Sequence, residues 1–162
     1  MTKTKRLIHR CARVRLSILL LLAIAAVAWP QSASDFSGLW KQDNDRCQPK
    51  RGSYVTLRID QSGPELTVET SISHGSLNSR HAVQKYTTDG KVSVSTGADG
   101  DEFHTSMVWK DSSLVFSIEE HEEGRILRSR ETWSLIDNGA TLQRTRESLD
   151  GEKQILIFHR PR

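Results

Sequence analysis

Three short turns between Phe103 and Arg146 constrain this chain more than any other feature. Asp111-Ser112, Glu123-Gly124 and Asn138-Gly139 each separate two runs in which large apolar residues alternate with polar ones. A two-residue hairpin loop sets the register of both flanking strands, because a slip of one residue moves every side chain to the other face. Counting outward from the first turn sets Trp109 opposite Leu114, Met107 opposite Phe116 and Thr105 opposite Ile118. The second turn sets Leu114 opposite Trp133, Phe116 opposite Glu131 and Ile118 opposite Ser129. The third sets Leu135 opposite Leu142, Trp133 opposite Arg144 and Glu131 opposite Arg146. All three agree on one inner face: Phe103, Met107, Trp109, Leu114, Phe116, Ile118, Leu127, Trp133, Leu135 and Leu142. The opposite face is mostly polar, which predicts an antiparallel meander with one wet side.

The rest of the chain after Asp35 continues the pattern. Phe36 and Trp40 share a face of a short first strand, with Gly38 between them leaving space for another group to approach. Gln42 to Ser53 reads as a polar loop without a helical period. Tyr54–Asp60, Glu65–Ser73, a weaker run near Arg80–Thr87, and Lys91–Thr96 read as strands punctuated by Gly, Asp and Ser turns. Asp150-Gly151 reads as the last hairpin, returning the chain as Lys153–Arg160 with Ile155, Ile157 and His159 inward. The prediction is an all-β, up-and-down antiparallel meander of about ten strands with no helical lid. Joining the first strand to the last removes exposed edges and favours a barrel. A β-sandwich is the structural alternative.

Composition divides the chain in two. Six basic residues (Lys3, Lys5, Arg6, Arg10, Arg13, Arg15) precede a 13-residue uncharged run, Leu16–Ala28, and small residues at Ala26-x-Ala28 or Ser32-x-Ser34. This is the pattern of a secretory signal peptide, and the apolar run is shorter than the roughly 18 residues a membrane anchor requires. The expected organisation is a leader over residues 1–34 and one β-barrel domain over 35–162, periplasmic or secreted and not membrane-spanning after processing. The whole chain holds 23 Lys+Arg against 20 Asp+Glu; without the six leader charges the balance is 17 against 20, so the basic character belongs to the leader. That removes the main argument for a nucleic-acid partner. Cys47 is then the one remaining cysteine, so no internal disulfide forms and packing must supply the stability; an inert loop thiol is the expected role, with a free or intermolecularly bonded thiol as the alternative.

Gly38-Leu39-Trp40 is similar to the Gly-x-Trp of the first lipocalin strand, and Phe36-x-Gly38-x-Trp40-Lys41 resembles the opening of fatty-acid-binding proteins. The chain thus resembles the calycin group, including bacterial lipocalin-like exported barrels. The resemblance implies a ligand-enclosing barrel. It also implies that Arg160, near the end of the last strand, packs across Trp40, with Gly38, Trp40 and Arg160 forming the structural closure. The chain departs from the pattern in three places. Twelve residues, Gln42–Ser53, replace the two-helix lid of fatty-acid-binding proteins; their closing Arg-x-Tyr is absent from Phe158-His159-Arg160-Pro161-Arg162; and the lipocalin Thr-Asp-Tyr is missing.

No Gly-x-Ser-x-Gly elbow, phosphate-binding glycine loop or His-Glu-x-x-His occurs, so no catalytic residue, metal site or cofactor is assigned. His74, His81, His104, His121 and His159 are scattered without ligand spacing, and Glu119-Glu120-His121-Glu122-Glu123 and Asp99-Gly100-Asp101-Glu102 read as turns. The anomaly is Glu131, Arg144 and Arg146, which alternation places on the apolar face. Unpaired charges there would cost several kcal/mol each. Either Glu131 pairs with Arg146 at the open end while Arg144 caps Trp133, or the guanidiniums await the acidic head of a ligand; a bulge after Asn138-Gly139 would instead turn both Arg outward. Fatty-acid-binding proteins use internal Arg in the second way. The reading is therefore an exported, non-enzymatic barrel binding a small, partly apolar, acidic amphiphile, with Arg144, Arg146, Glu131, Trp133, Trp109, Phe116 and Met107 as ligand-binding residues. The alternative is an extracytoplasmic interaction or inhibitor module with a packed interior, whose protein partner the sequence leaves unknown. A chain starting at Asp35 should unfold in urea in one cooperative transition; a broad, non-cooperative profile would place the domain boundary elsewhere.

Overall fold

The turns act as the alternation requires. In the computed structural model, which describes residues 34–75, 79–97 and 100–161, ten strands follow one another with no α-helix between them. They are β1 (Gly38–Gln42), β2 (Tyr54–Ser62), β3 (Glu65–Ser73), β4 (Ser79–Thr87), β5 (Asp89–Thr96), β6 (Glu102–Lys110), β7 (Ser113–Glu122), β8 (Arg125–Ile136), β9 (Thr141–Ser148) and β10 (Lys153–His159). The expected leader, apart from Ser34, lies outside the described residues, as does Asp99 of the acidic turn. Among the described residues no helix is long and apolar enough to cross a membrane.

All nine pairings counted from the three central turns are present, from Trp109 opposite Leu114 to Glu131 opposite Arg146. The third turn reaches that register with three successive left-handed residues, Asp137, Asn138 and Gly139, closed by the Ala140 N–H donating to the Asp137 carbonyl at 3.2 Å. Met107, Leu114, Phe116, Trp133 and Leu142 are buried, and Trp109, Ile118 and Leu135 pack against them. Leu127 shares their face but is 46% exposed, because β9 pairs with β8 only as far as Ser129 and the start of β8 overhangs it.

The sheet runs β4-β3-β2-β1-β10-β9-β8-β7-β6-β5, so β1 joins β10 and the meander wraps into a nearly closed barrel. The remaining free edges are β4 and β5 rather than the first and last strands. Between them the Thr88 N–H donates to the Pro64 carbonyl of the β2–β3 turn, and the β5–β6 register shifts between Asp89 and Val92.

The last hairpin corrects the sequence reading. Lys153 lies opposite Glu147, and the Ser148 N–H donates to the Glu152 carbonyl, so the loop is Leu149-Asp150-Gly151. Three-residue hairpins end on a left-handed residue, and Gly151 (φ 89°) takes that place. The extra residue slips β10 by one position, so Leu156 and Phe158 face Arg144 and Leu142, in place of Ile155, Ile157 and His159. Phe158 is wholly buried and His159 is exposed.

The same slip points Arg160 at Trp40. The Arg160 guanidinium lies 4.2 Å from the centroid of the buried Trp40 ring and donates to the Ser37 carbonyl at 2.7 Å. Trp40 in turn donates its indole N–H to the Phe36 carbonyl, and the Gln61 side chain accepts from the Phe36 N–H. Phe36, Trp40 and Trp109 thereby stopper the barrel end that carries the Asp111-Ser112 turn, with Phe36 and Trp109 centroids 6.0 Å apart.

The segment replacing a lid runs along β10. Asp43 N–H donates to the Ile157 carbonyl, and Gln48 and Ile155 exchange hydrogen bonds at 2.8 and 2.7 Å. Residues 43–48 are thus an irregular continuation of β1. Cys47 is 2% exposed there, and its Sγ accepts from the Gln42 side chain and the Ile157 N–H, which fits an inert thiol.

Gly38 is required for the closure: at φ +124° a Cβ would stand 2.5 Å from Arg160 Nη1. Arg160→Ala should lower stability by about 1–3 kcal/mol through the lost cation–π and charge-assisted contacts. Gly38→Ala should do at least as much, by forcing the guanidinium off the ring. Urea midpoints measure both, and an unaltered midpoint for Arg160→Ala would show that the contact adds nothing to closure.

Candidate functional site

The inner face of β8 and β9 carries Glu131, Trp133, Arg144 and Arg146 because no bulge interrupts their pairing. The ion pair forms diagonally. Although Arg146 is the residue directly opposite Glu131, it is Arg144 whose Nε donates to Glu131 Oε1 at 2.6 Å, and the Trp133 indole N–H donates to the same oxygen. The Arg144 guanidinium lies 4.7 Å from the Trp133 centroid and 5.7 Å from that of Phe158. Glu131 is 7% exposed. Burial alone would raise its carboxyl; the charge and hydrogen bond of Arg144, the Trp133 N–H and the charge of Arg146 outweigh this and hold it below its ordinary value.

Arg146 is the looser cation. Its Nε donates to Ser129 Oγ at 3.1 Å, and its closest carboxylate, Glu120, is 3.6 Å away, with 40% of the Arg146 side chain exposed. The two arginines therefore differ: Arg144 is paired with Glu131 inside the barrel, with 20% of its side chain exposed, and Arg146 stands at its mouth.

Between them lies an interior cavity of about 160 Å³, lined by Glu131, Trp133, Phe116, Arg144, Arg146, Phe103, Thr105 and Ile118 from the central meander and by Val68, Thr70, Gln84 and Tyr86 from β3 and β4. Of the sequence-assigned ligand residues, five come together here. Met107 is packed in the core, and Trp109 belongs to the stoppered end against Phe36. Tyr86 was not singled out in the sequence, because β4 lacks apolar alternation. Its ring meets Phe116 edge-on at 5.6 Å, and its pairing opposite buried Leu66 is the signal that would have placed it inside. Burial pushes the Tyr86 hydroxyl up to about 12, with the charge of Arg144 opposing and that of Glu131 adding.

Arg146 also borders an open notch of about 480 Å³ outside the mouth, between the overhanging start of β8 and the β9–β10 hairpin. Ile126, Leu127 and Leu149 line it beside Glu120, Arg128 and Glu152. On the outer wall Glu119 pairs with Arg128 at 2.7 Å, as their cross-strand register dictates, and His104 and His121 stack at 4.5 Å. Among the described residues no three His, Cys, Asp or Glu side chains are placed to hold a metal ion.

Because the Glu131 carboxyl is held low in the folded state, its contribution is complete above its unfolded value near 4.5 and is lost as pH falls through the lower folded value. The stability difference between the native chain and Glu131→Gln should therefore shrink as pH is lowered from about 6 toward 3, with urea midpoints as the measure. Arg144→Leu, which leaves the carboxylate buried and alone, should cost about 3–5 kcal/mol at neutral pH. A difference independent of pH would show that Glu131 is not held as an ion.

No family model matches the sequence, and no curated relative does. Solved structures share the architecture at low identity. A REP1-NXSQ fatty acid transporter superposes with a TM-score of 0.58 at 12% identity, covering 80% of this chain and 98% of that one. Lipid binding protein 8 of Caenorhabditis elegans, in its apo form, gives 0.59 at 14%, covering 78% and 95%. The Schistosoma mansoni fatty acid binding protein in complex with arachidonic acid gives 0.57 at 16%, covering 81% and 99%. With ten antiparallel strands in meander order and these neighbours, the chain has a calycin-like fold.

Proposed function

We propose that this chain is an exported, non-enzymatic barrel that takes a small, partly apolar, acidic molecule into its mouth-side cavity. The observation that carries the reading is the placement of Arg146. It is a partly exposed guanidinium on the rim of an aromatic cavity, and its carboxylate partner lies at the long distance of 3.6 Å. An incoming carboxylate can take Arg146 from Glu120 without disturbing Glu131 and Arg144. Phe116 and Trp133, whose ring centroids are 4.8 Å apart, offer apolar surface just inside. The neighbours described as a fatty acid transporter and as a fatty acid binding protein support a small amphiphile as the kind of ligand. Export to the periplasm or medium rests on the basic leader and apolar run before Pro30.

One observation favours the second reading, an interaction module: the cavity is small, and the Glu131–Arg144 ion pair forms part of its lining. Titration with a short acyl carboxylate separates the two. Binding should change tryptophan emission through Trp133. Arg146→Leu should weaken it about tenfold, since a charge-assisted hydrogen bond contributes roughly 1.5–3 kcal/mol. A folded protein whose emission and calorimetric heats do not respond to any such acid would leave the interaction module as the function.

A further inference from the structure

We infer that the ligand is a compact carboxylic acid, one ring or an equally short acyl group in size, whose apolar part occupies the Tyr86–Phe116–Trp133 cavity while its carboxylate binds Arg146. The inference rests on the binding reading above and adds the size and the placement of the head group.

Volume sets the first limit. A cavity of about 160 Å³ is close to the roughly 150 Å³ dry cavity that accepts benzene, and below the roughly 300–1,000 Å³ of sites for drug-sized ligands. A long acyl chain could gain length inward only by displacing side chains that line the cavity. Three of these, Glu131, Trp133 and Arg144, hold one another through the 2.6 Å ion pair and the indole hydrogen bond. Opening that set would leave a 7% exposed carboxylate without its cation. Outward, the chain would lie in the notch beside Leu149, Ile126 and Leu127, which are 81%, 49% and 46% exposed. The notch is open, so one side of the chain would stay in water and each added methylene would contribute less than in an enclosed cavity.

The shape of the walls sets the second limit. Tyr86 stands edge-on to Phe116 at 88°, and Phe116 is tilted against Trp133 at 38°. These rings offer both faces and edges, the two arrangements in which a further aromatic ring packs well. Thr70, Gln84 and Thr105 add polar groups to a lining that also holds Val68, Phe103 and Ile118, so a small ring bearing one polar substituent fits better than a uniform hydrocarbon chain.

Charge sets the third. Glu131 already occupies Arg144, whereas Arg146 can exchange a 3.6 Å contact for a closer one. A carboxylate at Arg146 stays partly hydrated, which limits its desolvation. One acidic group at one end of the molecule is all that this geometry accommodates.

The test is calorimetry on the protein with phenylacetate, phenylacetamide and palmitate, with the Trp133 indole resonance followed by NMR. Phenylacetate should bind and shift that resonance, and palmitate and phenylacetamide should each bind at least tenfold more weakly. Arg146→Gln should remove the difference between phenylacetate and its amide. Palmitate binding as tightly as phenylacetate or tighter would overturn the size inference while leaving a ligand-binding barrel. Equal binding of acid and amide to the native protein would overturn the Arg146 assignment. No binding by any of the three would overturn the inference and count against the ligand-binding reading itself. The three overturning outcomes are all read on the native protein, so they do not depend on the variant folding.

Discussion

A carboxylate inside an apolar barrel must be neutralised, and the interior of this protein is arranged around how Glu131 meets that demand. Its partner is the arginine one step diagonal on β9 rather than the one directly opposite, which leaves Arg146 free to lean toward the mouth and Glu120. The indole of Trp133 completes the carboxylate's hydrogen bonding, and the same ring lies under the Arg144 guanidinium. Such a triad is seldom the most stable way to fill a core, since well-packed apolar residues of similar volume do as well or better. Its consequence is positional: it holds Trp133 and Arg144 in one arrangement and makes Arg146 the adaptable charge.

Closure at the other end depends on an equally local condition. Gly38 leaves room for Arg160 to reach Ser37 and cover Trp40, and Phe36 fills the space between Trp40 and the ring of Trp109. A barrel stoppered in this way has one accessible end. The inner face is arranged accordingly, with Thr105, Glu131 and Arg146 one or more register steps toward the mouth from Trp133, and with Phe36 and Trp109 packed together at the closed end.

Much of this was legible in the sequence because turn chemistry and two-residue periodicity constrain each other. Three turns counted independently gave one inner face from Phe103 to Leu142, and the pairing of β6 to β9 follows it throughout. Legibility failed where a turn admits more than one length. Asp150-Gly151 fits both a two-residue loop and the end of a three-residue one, and the alternation of β10 is too apolar on both faces to decide. Ile155 and Ile157 look as suitable for the interior as Leu156 and Phe158; the outward pair is covered by residues 43–48, a contact no local pattern announces. The site was half legible for a related reason. Parity assigned Glu131, Arg144 and Arg146 to the inside, but the choice of ion-pair partner depends on side-chain reach across a twisted sheet. Tyr86 sits on a strand whose other residues are mostly exposed.

The segment between β1 and β2 links the fold to the size of the cavity. In a barrel whose first crossover is helical, those residues can cover the mouth and leave the interior open. Here their backbone groups are engaged with Ile155 and Ile157 along β10, and Arg51 donates to the Gln154 side chain, so the segment seals an edge of the wall. The same residues cannot also project over the opening. Water must then be kept from the apolar rings by side chains reaching in from the wall, and Arg144 with Glu131 occupy that volume while remaining hydrogen-bonded. The short crossover, the buried ion pair and the small cavity are thus three consequences of one allocation of chain: residues used to complete the wall are not available as a lid, and the interior is narrowed in its place.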